Sequence, residues 1–190
     1  NSEITELTAV GSQIYFVADD GQNGLELWTS DGSEAGTRLV REFGEGAVDG
    51  ASEQLTAHNG LLYFTQGDND LFVTDGSSEG TTLLAAFTGG LSHLQSTPMG
   101  LYFTAEDDAA GSELWLTDGT PSGTVRLSDA SSGPAGSLIG DAIATTSSAT
   151  LFSAYSPNSG IELWQTDGTA GNAMPLPELH AGSDGSLPGL

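Results

Sequence analysis

One phrase, written four times along the chain, constrains its folding more than any other feature. It reads Leu25-Glu26-Leu27-Trp28-Thr29-Ser30-Asp31-Gly32 in the first copy and Leu71-Phe72-Val73-Thr74-Asp75-Gly76 in the second. It returns as Glu113-Leu114-Trp115-Leu116-Thr117-Asp118-Gly119 and as Glu162-Leu163-Trp164-Gln165-Thr166-Asp167-Gly168. The Asp-Gly pairs at 31, 75, 118 and 167 set a period of roughly 43 to 49 residues. A second phrase precedes each copy: Ile14-Tyr15-Phe16, Leu62-Tyr63-Phe64, Leu101-Tyr102-Phe103 and a weaker Thr150-Leu151-Phe152. Nine positions before each phenylalanine stands an aliphatic residue: Leu7, Leu55, Leu94 and Ile143. A Gly-Thr pair follows at 36–37, 80–81 and 123–124, and the fourth copy departs from it with Gly171-Asn172.

Each repeat reads as four short strands. In the first copy they fall at about Glu3–Val10, Gln13–Ala18, Leu25–Ser30 and Thr37–Phe43. Gly11-Ser12 and Asn59-Gly60 suit two-residue hairpin turns. Loops of six or seven residues are expected between second and third strands, shortened in the second copy to Gln66–Asp70. In the third strand Leu25, Leu27 and Thr29 point one way while Glu26, Trp28 and Ser30 point the other. Large apolar groups on both faces require cover on both faces, as in a blade between neighbouring blades. The expected fold class is therefore all-β, a β-propeller of four-stranded antiparallel blades, with four blades in this chain.

As a single repeat domain, blade 1 covers about residues 2–46, blade 2 about 47–89, blade 3 about 90–133 and blade 4 about 134–181. Residues 182–190 read as the start of a further repeat or a linker, because Gly182-Ser183-Asp184-Gly185-Ser186-Leu187 matches Gly133-Pro134-Ala135-Gly136-Ser137-Leu138. The chain then either closes as a four-blade ring or supplies part of a larger one. A linear solenoid is the architectural alternative, and its open ends would need caps. The start at Asn1-Ser2-Glu3, with no initiator methionine, suggests that a preceding segment has been removed.

The Glu-Leu-Trp-x-x-Asp-Gly phrase followed by Gly-Thr resembles the ELWxxDGT repeat family of bacterial secreted and cell-surface proteins. The resemblance covers essentially the whole chain and is weakest in the second copy, where Asp70 and Phe72 replace the usual Glu and Trp. It implies a propeller-like architecture in a large exported protein, and it implies no particular activity.

Charge narrows the partners. Arg38, Arg41 and Arg126 are the only basic residues against 26 acidic ones, a net charge of -23. Such a surface repels nucleic acid and anionic membranes and suits an environment of screening salt or divalent cations. No cysteine is present, so disulfides and thiolate metal sites drop out. No stretch reaches the roughly 20 apolar residues of a membrane span.

The repeated residues read as scaffold. Trp28, Phe72, Trp115 and Trp164 suit inter-blade anchors; the alternative is a stacking platform for sugars. Asp31, Asp75, Asp118 and Asp167 suit Asx-turns ahead of a positive-φ glycine; the alternative is calcium ligation. Acidic loops carrying Asp19, Asp20, Asp107 and Asp108, the last two next to Glu106, are the candidate metal sites, with calcium as the one cofactor they would take. His58, His93 and His180 fall at different phases and form no evident triad. No nucleophile elbow or phosphate loop is present. The expected function is thus a non-catalytic, extracellular or cell-surface, structural or adhesive module that binds protein or glycan, or further segments of its parent. A carbohydrate- or calcium-binding lectin-like propeller is the alternative, and a hydrolase comes third.

Overall fold

In the computed structural model each repeat becomes one antiparallel sheet, because short alternating strands are joined by turns whose residues tolerate positive φ. The structure describes residues 4–22, 24–43, 52–137, 139 and 143–177. His180 and the expected repeat start at 182–190 lie outside them.

The first sheet holds β1 (Ile4–Val10), β2 (Gln13–Asp19), β3 (Leu25–Ser30) and β4 (Arg38–Arg41). The second holds β5 (Ser52–His58), β6 (Leu61–Gln66), β7 (Asp70–Thr74) and β8 (Thr82–Ala86). The third holds β9 (Leu91–Thr97), β10 (Gly100–Asp107), β11 (Gly111–Thr117) and β12 (Val125–Arg126). The fourth holds β13 (Ile143–Thr145), β14 (Thr150–Ser156), β15 (Gly160–Thr166) and β16 (Met174–Pro175). Every sheet keeps its strands in chain order, each paired antiparallel with its neighbour. The described residues contain no helix. The chain is all-β, with four four-stranded blades.

The hairpins between first and second strands are tight. Asn59 and Gly60 have φ of 48° and 79°, the doubly left-handed geometry of a primed turn closed by the His58–Leu61 pair. Connections between second and third strands are shorter than the sequence pattern suggests. In the third sheet pairing continues out to Asp107 and Gly111, so only three residues remain in the turn. The acidic residues read as loop are therefore partly strand.

The first strand of each of the first three sheets carries a bulge at one repeated position. Glu6, Gln54 and His93 have φ of 56°, 53° and 60°, and the ladder slips beside each of them. A non-glycine residue in this region costs about 1–2 kcal/mol. The bulge shifts the next residue of the strand, Leu7, Leu55 or Leu94, out of simple alternation.

Two compact units are present, Asn1–Ala86 and Phe87–Leu190. In the first, Tyr15, Val17, Leu27 and Val40 from the first sheet pack on Leu55, Leu62, Phe64 and Phe72 from the second. Phe43, just past β4, wedges edge-on against Phe64 and Phe72 with centroids 5.7 and 5.2 Å away. The second unit repeats the scheme: Tyr102, Leu114 and Leu127 of the third blade pack on Ile143, Phe152, Ala154 and Trp164 of the fourth. Thus the tyrosine–leucine face of one blade covers the phenylalanine–tryptophan face of the next. Each large side chain buried this way contributes on the order of 2–3 kcal/mol.

Candidate functional site: the repeated turns, the buried glutamates and the blade faces

The Asp-Gly turn is one device built four times. Asp31 Oδ1 accepts the Ser33 amide at 2.9 Å and its hydroxyl at 2.7 Å. Asp75 does the same with Ser77, and Asp118 with Thr120. The Ser33, Ser77 and Thr120 hydroxyls in turn accept the amides of Gly36, Gly80 and Gly123. Hydrogen bonds from Ser33, Ser77 and Thr120 hold the three carboxyls below their ordinary pKa. Asp167 is lowered in the same direction, first by the Thr169 amide.

The flanking residues are equally determined. Gly32, Gly76, Gly119 and Gly168 have φ between 87° and 93°, which favours glycine. A Cβ on Gly36, Gly80 or Gly123 would fall inside the carboxylate of Asp31, Asp75 or Asp118. The threonine after each of those glycines locks the turn to the preceding strand through Ser30–Thr37 at 2.7 Å, Thr74–Thr81 at 2.8 Å and Thr117–Thr124 at 2.8 Å. The fourth copy solves the same problem differently. Asn172 accepts from the Thr166 hydroxyl at 2.9 Å and donates to Asp167, so one amide side chain joins both ends. Gly171 there has φ of 67° and no crowding carboxylate. The turns of the second and fourth blades also meet the blade before them in the same unit: the Tyr15 hydroxyl sits over Gly76, and Tyr102 approaches Gly168.

The glutamate of the repeated phrase carries a role that residue periodicity does not reveal. Glu26, Glu113 and Glu162 are all buried in the third strand. Glu113 accepts the Ser128 hydroxyl at 2.5 Å and that of Ser137, while those oxygens accept the amides of Leu114 and Ser131 at 2.9 Å. Burial pushes the Glu113 carboxyl above its ordinary pKa, and the two hydroxyls pull it back. Glu26 receives the Phe43 amide. The acid therefore fastens the segment leaving the fourth strand to the blade's own third strand. A charged residue two positions before Trp, on the same face of the strand, was the available signal, since acids are rarely buried unpaired.

The aromatic anchors lie in the packed layer to different depths. Phe72 and Trp164 are buried, whereas Trp28 and Trp115 are half-buried. Trp115 stacks with Phe103 and meets Phe87 edge-on at 5.0 Å. Trp28 Nε1 donates to the Ala18 carbonyl at 3.1 Å. The indole N–H groups of Trp115 and Trp164 are buried without a partner among the described residues, a cost of about 1–3 kcal/mol each that ring burial offsets.

The loop acids are occupied locally. Asp19 and Asp20 accept the amides of Gly21 and Gln22, and Asp107 accepts those of Ala109 and Ala110. Asp107 also faces Arg126 at 3.7 Å, and Asp108 is exposed. Among the described residues no group of three or more His, Asp or Glu is placed to hold a metal ion. His58 is buried, edge-on to Tyr63 at 5.9 Å, and burial lowers its pKa. His93 sits at the β9 bulge beside the hydroxyls of Ser92 and Thr104.

No protein-family model matches the chain, and no curated protein does. Solved structures do. Puromycin hydrolase aligns with a TM-score of 0.55 and 20% identity over 91% of this chain and 28% of its own. A mutant of that hydrolase complexed with PGG aligns over the same shares at 0.54 and 20%. Prolyl oligopeptidase B from Galerina marginata aligns at 0.44 and 17%, over 85% of this chain and 24% of its own. This chain thus spans little more than a quarter of the hydrolase it matches, and the likeness shows a propeller-type fold.

That finding corrects one expectation. The repeat grammar and acidic surface point to a non-catalytic structural or adhesive module, with a lectin-like module as alternative. The fold instead aligns with part of a hydrolase, so it marks neither adhesion nor glycan binding. The physical reason lies in the repeated residues, whose side chains are engaged in turns and blade faces.

Proposed function

We propose that this chain is the propeller portion of a hydrolase, in which stacked blades frame a substrate and groups outside the described residues cleave it. The observation that carries this reading is the shared fold with puromycin hydrolase over 91% of this chain. The site geometry supports it as well. Turns and buried glutamates fix the blades, leaving the unrepeated connections, such as residues 20–24 and 157–159, free to differ in chemistry. The sequence resemblance to ELWxxDGT repeats supports a parent exported by a bacterium, in keeping with an acidic surface that screening salt relieves.

The experiment is a turnover assay of the full natural protein on a panel of amide substrates, with puromycin among them. Hydrolysis is expected, together with a changed kcat/KM when residues 1–190 are deleted. A full-length protein inert on the whole panel would contradict the reading. So would a deletion that leaves kcat/KM untouched.

A further inference from the structure

Met99 sits where the two blades of the second unit meet, and its sulfur faces a hydroxyl from each. The hairpin between β9 and β10 presents it. Thr97 Oγ1 accepts the Met99 amide at 3.2 Å and donates to the Gly100 carbonyl at 2.8 Å. A Cβ on Gly100 would lie 2.6 Å from Leu116, so the turn is fixed against the third blade. The Met99 methyl reaches the Asp-Gly turn of the fourth blade, 3.3 Å from where a Cβ on Gly168 would stand. The hydroxyls of Tyr102, in the third blade, and Thr150, in the fourth, each donate to Met99 Sδ at 3.8 Å. Tyr102 and Thr150 are fully buried, whereas Met99 is half-buried and open to small solutes.

The repeat does not call for this arrangement. In the first blade Tyr15 stands opposite Thr29 in the ladder and hydrogen-bonds its hydroxyl. In the third blade the residue opposite Tyr102 is Leu116, which offers none. A thioether is a weak acceptor, so two converging hydroxyl donors are more than it needs. Burial pushes the Tyr102 phenol above its ordinary pKa, so it stays protonated and able to donate. Thr145 Oγ1 lies 3.2 Å from Thr150 Oγ1 and can donate to it, leaving the Thr150 proton for Met99. A sulfoxide oxygen matches such donors far better than sulfur does. An S–O bond of about 1.5 Å joined at about 120° to an O–H···O bond of about 2.7 Å spans about 3.7 Å. The sulfur–hydroxyl distance found on both sides is 3.8 Å.

We propose that Met99 is a site of oxidative modification, at which a hydroperoxide converts the thioether to a sulfoxide held by Tyr102 and Thr150. Sδ attacks the terminal peroxide oxygen, so the S–O bond forms as the O–O bond breaks. The sulfur loses two electrons; the peroxide gains them and leaves as water or an alcohol, taking the proton of the transferred oxygen. The new oxygen accepts from both hydroxyls and ties the third blade to the fourth. A sulfoxide in an apolar seam ordinarily disrupts packing; this seam already holds two donors for it. Met174, the other of the chain's two methionines, is 51% exposed in β16 and can be replaced without touching the seam.

Treatment of the folded Met174→Leu protein with dilute hydrogen peroxide, followed by peptide mass mapping and urea unfolding, tests this. Met99 is expected to gain one oxygen while the protein is native. The oxidised protein is expected to unfold at a urea midpoint no lower than that of the reduced protein. In Met174→Leu with Thr150→Val, where one donor is lost at nearly constant shape, the same oxidation is expected to lower the midpoint. Tyr102→Phe provides the same comparison from the other blade, should the valine variant fail to fold. A Met99 that takes up oxygen only once the protein is unfolded in urea would overturn the proposal. So would a midpoint that falls on oxidation with both hydroxyls in place, or one whose response ignores the loss of either.

Discussion

Asp118 and Gly123 show how far one turn specifies its residues. The carboxylate lies where a Cβ on Gly123 would go, so side chain and glycine are chosen together. Gly123→Ala is expected to lower stability by about 1–3 kcal/mol, the range for forced overpacking, read from the urea midpoint at unchanged slope. Gly171→Ala meets no atom and pays only for its positive φ, so its loss is expected to be the smaller of the two. The pH response follows from the lowered carboxyls. A group with a depressed folded pKa contributes stability above its unfolded value, near 4, and loses it as pH falls through the folded value. Asp118→Asn is therefore expected to flatten the acid side of a melting-temperature profile. Glu113 works in the opposite sense. Its raised folded pKa favours the folded state at low pH and costs stability as pH rises through that value. At neutral pH Glu113→Ala is nonetheless expected to destabilise by about 2–4 kcal/mol, since two buried serine hydroxyls lose their acceptor.

Among the elements, the third strand was the most legible in the sequence. Alternation in Leu25–Ser30 marks two covered faces, and the strand runs over those residues. The bulges at Glu6, Gln54 and His93 were not legible, because no glycine marks them and only tertiary packing makes the strain worthwhile. The role of Glu113 was hidden for a related reason. Its partners Ser128 and Ser137 lie 15 and 24 residues away, in a segment without periodicity. The tryptophans carry a prediction that separates depth from identity. Trp164→Ala is expected to cost about 3–5 kcal/mol, as for a buried ring with little room to collapse. Trp28→Ala, on the half-covered face of the first blade, is expected to cost less than half as much in dilute solution. Equal losses in chemical denaturation would remove the distinction between covered and uncovered faces.

For the whole molecule, net charge sets the medium in which the blades persist. Three arginines against 26 acids leave most repulsion unpaired, so added NaCl is expected to raise the melting temperature steadily. A melting temperature flat in salt would mean that the charges are spaced beyond mutual influence. The period, blade content and strand order could be read from the repeat, because each copy writes its strands and turns in one local grammar. Function could not, because the same grammar consumes the recurring residues in scaffold and leaves the chemistry to what does not recur. The central claim is that within each unit the tyrosine–leucine face of the first of its two blades packs on the phenylalanine–tryptophan face of the second. A double-mutant cycle on Leu114→Ala and Phe152→Ala, from opposing blades of one core, tests it most directly. Packing of this kind predicts a coupling of about 0.5–3 kcal/mol; losses that simply add would contradict it.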